Sequence, residues 1–273
     1  MSRPLDIDVV AIQSQVVYGC VGNTAGVPVL QGGGLQVAQV PSIILSSTPG
    51  YPSVHGGAVP REWFSGWLDD LIANGALSRL KAVQIGYLGE PGQAGLLADW
   101  LGRVIELQPD VLISIDPVLG DFDTGIYTHP DMVAGWHGLL GLASGLTPNA
   151  FELGVLSGLP VDSEEQVVAA ARSLLQGRTR WIAVTSAAQA GWPAGRMRLM
   201  LVSADSVEIV EHDRLESAVK GTGDMFSAGL TRGLLHGLPL AAAARQSAGW
   251  VELALHDSIA SDSEELVLRR RFD

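Results

Sequence analysis

The chain has 273 residues, of which 47% are apolar and 17% charged, so it can bury a large core and is not disordered. Its formal net charge of −12 opposes binding to nucleic acid or anionic lipid, and no apolar run reaches the roughly 18 residues of a membrane span. Cys20 is the only cysteine, which excludes an intrachain disulfide. We therefore expect a cytoplasmic protein that binds small molecules, with no nucleic acid or membrane partner.

Short apolar runs typical of strands alternate with amphipathic helical patterns along the chain. The predicted strands are 9–13, 36–40, 82–86, 111–116, 144–147, 181–185, 197–203 and 207–212. Helices are predicted over 61–73 and 93–107, after a cap at Asp162 or Ser163, and from 225 to 235. Continuous Val/Ile/Leu strands that alternate with helices indicate a mostly parallel sheet covered on both faces. We predict one α/β domain over residues 1–273.

A glycine-rich segment, Gly221-Thr222-Gly223-Asp224, precedes the last of these helical runs. Glycines let the backbone come close to a ligand, and a helix start presents unpaired N–H groups that suit an anion such as phosphate. Asp224 would be ionised there and could accept the proton of an attacking hydroxyl. The simpler alternative is a flexible loop with an aspartate cap.

Polar residues also follow several predicted strands, at the edge where parallel α/β sheets bind ligands. Asp116 and Asp121 follow one strand and could orient Mg²⁺, although an Asp-Pro turn with a capping aspartate is the structural alternative. The next residues, 122–127, could form a mobile flap over a nucleotide.

Three further strand ends carry candidate ligand groups. Thr147 is followed by Asn149 and Glu152, which have the spacing of a capping box, while the functional alternative makes Glu152 a holder of water around Mg²⁺. Thr185 could contact phosphate or merely end its strand. Ser14 follows the first strand, and Tyr87 could cover an aromatic substrate or belong to the core.

These segments occur in an order that resembles a known family. Residues 14–19, 45–49, 56–66, 86–89, 116–121, 147–149, 185–186 and 221–224 resemble the pyridoxal kinase branch of the ribokinase-like superfamily. The resemblance implies a three-layer α/β/α fold without a separate lid domain, and usually a homodimer. It also implies transfer of the γ-phosphate of ATP to the 5′-hydroxyl of vitamin B6, with Mg²⁺ and a monovalent cation, K⁺ or Na⁺.

The resemblance also assigns roles by motif position. Asp224 becomes the catalytic base, and the amides of Gly221, Thr222 and Gly223 become the anion hole. The implied ATP side comprises Asp116, Asp121, Thr147, Glu152, Thr185, Gly221 and Gly223, with Asp116, Tyr127 and Glu152 at the metal, whereas Ser14, Gly50, Tyr87 and Asp224 face the vitamin.

One departure keeps alternatives open. Gly50 stands where close relatives carry a histidine, so the preference among the B6 vitamers and hydroxymethylpyrimidine is not fixed. A hydroxymethylpyrimidine kinase and a catalytically silent B6-binding protein therefore remain alternatives. Lys220 adjoins the anion loop and is either an amine that forms a Schiff base with the aldehyde of pyridoxal or a solvated lysine.

Overall fold

The computed structural model describes residues 5–269, and the tail 270–273, to which the sequence assigns no function, lies outside them. Its strands are β1 (Val9–Tyr18), β2 (Val37–Ser47), β3 (Gly56–Ala58), β4 (Ala82–Ile85), β5 (Leu112–Ile115), β6 (Gly120–Asp121), β7 (Gly125–Ile126), β8 (Gly145–Leu146), β9 (Trp181–Val184), β10 (Arg196–Ser203) and β11 (Val207–Asp213). Its helices are α1 (Asn23–Gly32), α2 (Arg61–Ala73), α3 (Gly92–Leu107), α4 (Met132–Leu140), α5 (Ala150–Ser157), α6 (Glu164–Ser173), α7 (Thr222–Leu235) and α8 (Leu240–Ala260), with a 3₁₀ turn at Gln189–Gly191.

Nine strands form one sheet in the order β11-β10-β9-β8-β5-β4-β1-β2-β3, and β6 pairs with β7 in a separate hairpin. The consecutive strands from β9 to β2 are parallel, whereas β3, β10 and β11 are antiparallel to their neighbours. The prediction of a mostly parallel sheet is therefore confirmed. The extent of the domain, 1–273, stays a prediction.

Helices cover both faces of the sheet because adjacent residues of each central strand point in opposite directions. Val10 and Val83 belong to the core that packs against α2 to α6, whereas Val9 and Ala82 belong to the core that packs against α1, α7 and α8. This confirms the predicted three layers. Within residues 5–269, the only strands outside the large sheet are those of the β6–β7 hairpin, and no helix is long and apolar enough to cross a membrane.

Strands β1 and β2 run well beyond their predicted ends at residues 13 and 40. Gln13 pairs with Pro41, and the register then shifts before Gln15 pairs with Ile44. Proline lacks an N–H and is tolerated at a bulge, so Pro41 interrupts the ladder without ending the strand. Beyond the bulge Val17 and Tyr18 are exposed, which breaks the apolar pattern that predicts a buried strand.

The helix α8 is absent from the sequence-based prediction because small residues form its buried face. Ala243, Ala244 and Ser247 are buried against α7, where the nearest positions are glycines. A Cβ on Gly233 would lie 2.7 Å from the Ala243 Cβ and 3.0 Å from its Cα. The two helices thus approach closely through small side chains, which give a weak amphipathic signal.

The close approach of α7 and α8 predicts that a glycine-to-alanine substitution changes stability in opposite directions at Gly233 and at Gly138. Gly233→Ala should lower the free energy of unfolding by about 1–3 kcal/mol, because the added methyl group has to separate α7 from α8. Gly138→Ala in α4 is the matched control: a Cβ there meets nothing within 4 Å, so better helix propensity should raise stability by about 0.5–1 kcal/mol. Urea denaturation measures both, and equal effects would contradict the packing described.

Candidate active site

The predicted site residues meet at one edge of the sheet. Asp116, Thr147 and Thr185 each follow the last residue of a parallel strand, namely β5, β8 and β9. Tyr87 follows β4, which is paired to β1 through Ile85 and Ile12, so Tyr87 lies at the same edge as Ser14. The carboxyl ends of these strands therefore bring together groups that are distant in sequence, as expected for a parallel sheet.

The glycine-rich loop leads into α7 through a backbone conformation that only glycine adopts easily. Gly221 has φ +93°, and a Cβ on it would lie 2.0 Å from the carbonyl oxygen of Cys20. Thr222 is the first helical residue, and intrahelical bonding begins with the Met225 N–H donating to the Gly221 oxygen. The amides of the first turn, Thr222 and Gly223 among them, lack intrahelical partners and form a site for an anion.

Asp224 lies in that first turn, partly shielded from solvent. Removal from water raises the pKa of its carboxyl group to about 6, although the Gly22 N–H donates a hydrogen bond that opposes the shift. The carboxylate is thus ionised at neutral pH and basic enough to take a proton from an alcohol. The predicted location at the helix start is confirmed.

Two further carboxylates lie buried beside the loop. Asp116 is only 8% exposed, and a Cβ on Gly223 would lie 3.6 Å from its Oδ2. Desolvation, followed by the charges of Glu152 and Asp224, raises the pKa of Asp116 well above its ordinary value. The sheet edge therefore concentrates negative charge that a bound cation would neutralise.

The surroundings of Glu152 bear on both of its predicted roles, the capping box of α5 and the holding of water around Mg²⁺. Its Oε2 accepts the Asn149 N–H at 2.8 Å while the Asn149 side chain accepts the Glu152 N–H, so the capping box of α5 is confirmed. Its Oε1 accepts the Leu119 N–H at 2.9 Å. Desolvation nevertheless raises the pKa of Glu152 to about 7. Each oxygen keeps a second lone pair, so the carboxylate can still bind Mg²⁺ directly or through a water.

The predicted flap, 122–127, is the turn and second strand of the β6–β7 hairpin. Asp121 holds it together, since its Oδ1 accepts the Asp123 N–H at 2.9 Å and both the N–H and the hydroxyl of Thr124. Tyr127 is 53% exposed, and its pKa is raised first by desolvation and then by Glu152 and Asp116. Any contact of Tyr127 with a metal, or of Asp121 with ATP, stays a prediction.

Thr147 and Thr185, which follow strands β8 and β9, form hydrogen bonds within the protein. The buried Thr147 hydroxyl lies 3.1 Å from the Ser227 hydroxyl of α7, which ties β8 to the helix beneath the anion loop. Thr185 exchanges backbone hydrogen bonds with the segment after β8, donating to Pro148 at 3.0 Å and accepting from Ala150 at 3.1 Å. Both therefore support the site edge, and their predicted contacts with ATP stay predictions.

Ser14 and Gly50 are two of the predicted vitamin contacts. A Cβ on Gly22, which has φ +56°, would lie 2.2 Å from the carbonyl and hydroxyl oxygens of Ser14. Gly22 therefore touches both Ser14 and Asp224. Gly50 has φ +131°, and a Cβ there would lie 3.8 Å from the Lys220 Nζ. The Lys220 ammonium donates to the Pro49 carbonyl, so it is bound to this segment, and its reaction with an aldehyde stays a prediction.

The residues present fit Mg²⁺ in the manner of nucleotide-dependent enzymes. Within 5–269 there is no group of three or more His, Cys, Asp or Glu residues that could hold a metal by themselves. Mg²⁺ in such enzymes keeps several waters and uses one or two carboxylates together with substrate phosphates. The buried pair Asp116 and Glu152, whose pKa values are both raised, supplies that donor set.

Two contacts of the site were not predicted from the sequence. The Gly22 amide that binds Asp224 comes from a position 202 residues earlier, and the only signal is a glycine before a helix. Glu265, near the end of the described chain, accepts hydrogen bonds from Cys20 and Thr48. No local pattern marks it, because its partners lie 245 and 217 residues away.

A helix start that binds anions, a carboxylate suited to deprotonating an alcohol and a buried acidic pair, all at one edge of an α/β/α sheet, define a kinase of the ribokinase-like class. Residues 37–267 match the sequence model of the phosphomethylpyrimidine kinase family. The chain belongs to the pyridoxal kinase family within this class, as the resemblance predicts.

Relatives and solved structures agree on the family. A pyridoxine/pyridoxal/pyridoxamine kinase of Bordetella bronchiseptica is 54% identical over 97% of this chain and 94% of its own. A pyridoxal kinase of Deinococcus radiodurans is 31% identical over 81% of this chain and 76% of its own. The Leishmania donovani pyridoxal kinase, solved with ADP and pyridoxamine, is 27% identical and covers 97% of this chain and 92% of its own with a TM-score of 0.87.

The raised pKa of Asp224 predicts how stability depends on pH. The folded-state pKa of about 6 exceeds the ordinary 3.8, so the stability from this group is complete below about pH 4 and is lost as the pH rises through 6. Asp224→Asn should remove this dependence and raise the free energy of unfolding at pH 7 by roughly 1–3 kcal/mol.

Denaturation at pH 4, 6 and 7 measures the effect. The exposed Asp99→Asn in α3 is the matched control and should leave the pH dependence unchanged. A wild-type protein that is more stable than Asp224→Asn at pH 7 would contradict the buried-carboxyl interpretation.

Proposed function

We propose that this chain transfers the γ-phosphate of ATP to the 5′-hydroxymethyl group of pyridoxal, pyridoxine and pyridoxamine in vitamin B6 salvage. The observation that carries the proposal is the Asp224 carboxylate in the first turn of α7, beside the amides of the Gly221 loop. Relatives named as pyridoxine/pyridoxal/pyridoxamine kinases, and a pyridoxal kinase solved with ADP and pyridoxine, support this substrate class.

In the proposed reaction the 5′-hydroxyl oxygen attacks the terminal phosphorus of ATP in line while Asp224 accepts the hydroxyl proton. The bond from that phosphorus to the bridging oxygen breaks, and ADP leaves. The amides of Gly221, Thr222 and Gly223 donate to the phosphoryl oxygens, where charge develops. Because the Gly22 N–H fixes the Asp224 carboxylate, the base does not have to reorganise during transfer. This arrangement accounts for proton removal and charge stabilisation with groups of the chain itself.

On the nucleotide side we infer contacts from the residues at the ends of β5, β8 and β9. ATP binding is proposed for Asp116, Asp121, Thr147, Glu152, Thr185, Gly221 and Gly223, and Mg²⁺ contact for Asp116, Tyr127 and Glu152. Mg²⁺ would supply positive charge to the phosphate oxygens, and a monovalent cation, K⁺ or Na⁺, is proposed from the family resemblance alone.

On the vitamin side Ser14 is proposed to bond to the pyridine ring and Tyr87 to lie close to it. Gly50 has no side chain where relatives carry a histidine, which favours a wider pocket. A hydroxymethylpyrimidine kinase is therefore the second candidate, and the description of the matched family, phosphomethylpyrimidine kinase, favours it specifically. A silent B6-binding protein would not need the raised pKa of Asp224.

We also propose a cytoplasmic homodimer that pairs through the projecting ends of β1 and β2. Val17 is 82% exposed, and Tyr18 and Ile44 are also exposed on these extensions. Large apolar side chains exposed on two adjacent strand ends favour a protein partner over solvent. Val17→Glu should shift the molecule from dimer to monomer in sedimentation velocity, with Leu107→Glu, another exposed apolar position on α3, as the control. A monomeric wild-type protein would contradict the dimer.

The test of function is ATP-dependent turnover measured in parallel with pyridoxal, pyridoxine, pyridoxamine and hydroxymethylpyrimidine. We expect phosphorylation of at least one B6 vitamer with a higher kcat/KM than hydroxymethylpyrimidine. The reverse order would establish the second candidate. Absence of turnover with all four substrates at saturating Mg²⁺-ATP would contradict both kinase candidates.

Asp224→Asn should lower kcat by roughly 10²–10⁴-fold, the usual contribution of a general base. The asparagine keeps the size of the side chain and its bond from Gly22, so ATP binding should remain within a few-fold of wild type. Asp99→Asn again serves as the control for removal of one negative charge. Turnover near the wild-type level in Asp224→Asn would remove the assignment of the base.

A further inference from the structure

The chain after α8 folds back over the start of α7 and is anchored there. Leu266 is 3% exposed and packs in the core between α1, α7 and α8. The Val267 N–H donates at 2.8 Å to the Ser258 hydroxyl, which in turn donates to the Ala254 carbonyl. Residues 263–267 are therefore fixed to the helical layer that carries the anion loop, and they present Glu265 to the vitamin side of the site.

The Glu265 carboxylate binds both segments that surround the proposed vitamin position. Its Oε2 accepts the Cys20 N–H at 2.9 Å and the Thr48 hydroxyl at 3.0 Å. Gly19 has φ +114°, and a Cβ on it would lie 2.8 and 2.9 Å from the two carboxylate oxygens. The pKa of Tyr51 is raised by desolvation and then by Glu265 and Tyr18, which places this phenol beside the same carboxylate.

The first of these segments leads directly to the catalytic base. Cys20 gives its N–H to Glu265, and its carbonyl oxygen contacts the backbone of Gly221. Two residues later, the Gly22 N–H donates to Asp224. The turn at residues 20–22 thus bonds to Glu265 through the Cys20 N–H and to the base, Asp224, through the Gly22 N–H.

The second segment, residues 48–49, also connects Glu265 to the start of the anion loop. Thr48 donates to Glu265, and the next residue, Pro49, accepts from Lys220, which directly precedes the anion loop. Glu265 therefore connects residues 48–49 with residues 20–22. Displacement of its carboxylate would release both segments and leave the bonds of Glu152 to Asn149 and Leu119, on the proposed ATP side, in place.

We propose that Glu265 is a positioning residue that holds residues 19–22 and 48–51 around the vitamin, so that its hydroxymethyl group lies in line between Asp224 and the phosphate. This inference rests on the proposed B6 kinase activity. Glu265 acts through Cys20, Thr48 and the Gly22 amide, and it does not itself contact the reacting atoms.

The experiment compares Glu265→Ala with Glu265→Gln and uses the exposed neighbour Glu264→Ala as the matched control. Glu265→Ala should lower kcat/KM for the B6 vitamer roughly 10- to 100-fold, the scale of an ångström of misplacement, with the KM for ATP within about twofold of wild type. Glu265→Gln should restore most of the loss, because its amide oxygen can accept the same two bonds. Thr48→Val, which removes one bond, should give an intermediate loss, and Glu264→Ala should match wild type.

Three outcomes would overturn the inference. The first is a folded Glu265→Ala enzyme whose kcat/KM for the vitamer is within twofold of wild type. The second is an equal loss for ATP and vitamer with a lowered Tm and no recovery in Glu265→Gln, since that describes a general anchor of the fold. If Glu265→Ala does not fold, unchanged vitamer kinetics in Thr48→Val would be the third.

The wild-type enzyme separates this inference from the proposed function. Absence of turnover on every vitamer in the wild type would remove the function and the inference together. Turnover in the wild type with unchanged vitamer kinetics in the folded Glu265 variants would remove the inference alone.

Discussion

The site depends on the contact between the turn at residues 20–22 and the start of α7. Gly221 and Gly22 both have positive φ; a side chain on Gly221 would overlap the Cys20 carbonyl, and one on Gly22 would overlap Ser14 of β1. Because neither glycine has a side chain, the Cys20 carbonyl can reach Gly221 and the Gly22 amide can reach Asp224. The base, the anion loop and the first strand of the sheet are thereby fixed relative to one another by backbone contacts and by the bond from Gly22 to the Asp224 carboxylate.

The electrostatics of the site follow from this packing. Asp116 and Glu152 are buried and Asp224 is partly shielded from solvent, and removal from water raises the pKa of all three carboxyl groups. Such an arrangement costs stability unless a cation or a bound phosphate partner compensates. The protein retains it at the sheet edge where its family carries out phosphoryl transfer, which is the usual reason for unfavourable buried charge.

Local patterns predicted the parts of the structure that are determined locally. The capping boxes of α5 and α6, the helix of residues 61–73 and the parallel strands are readable because neighbouring residues determine them. The Pro41 bulge, the small-residue face of α8 and the Glu265 bonds depend on partners far away in sequence. For Glu152 the structural alternative is confirmed and does not exclude the functional one, since the same carboxylate caps α5 and lies near Asp116.

The close packing of α7 on α8 determines which parts of the site can adjust when ligands arrive. The contacts of Gly229 with Ser247 and of Gly233 with Ala243 hold the two backbones close together, so α7 cannot slide along its neighbour without opening a gap or a clash. The β6–β7 hairpin is held instead by the Asp121 side chain and by the edge-to-face contact of Phe122 with Phe151. We therefore expect the β6–β7 hairpin to adjust to nucleotides of different size, while the part of the site that contains Asp224 stays rigid.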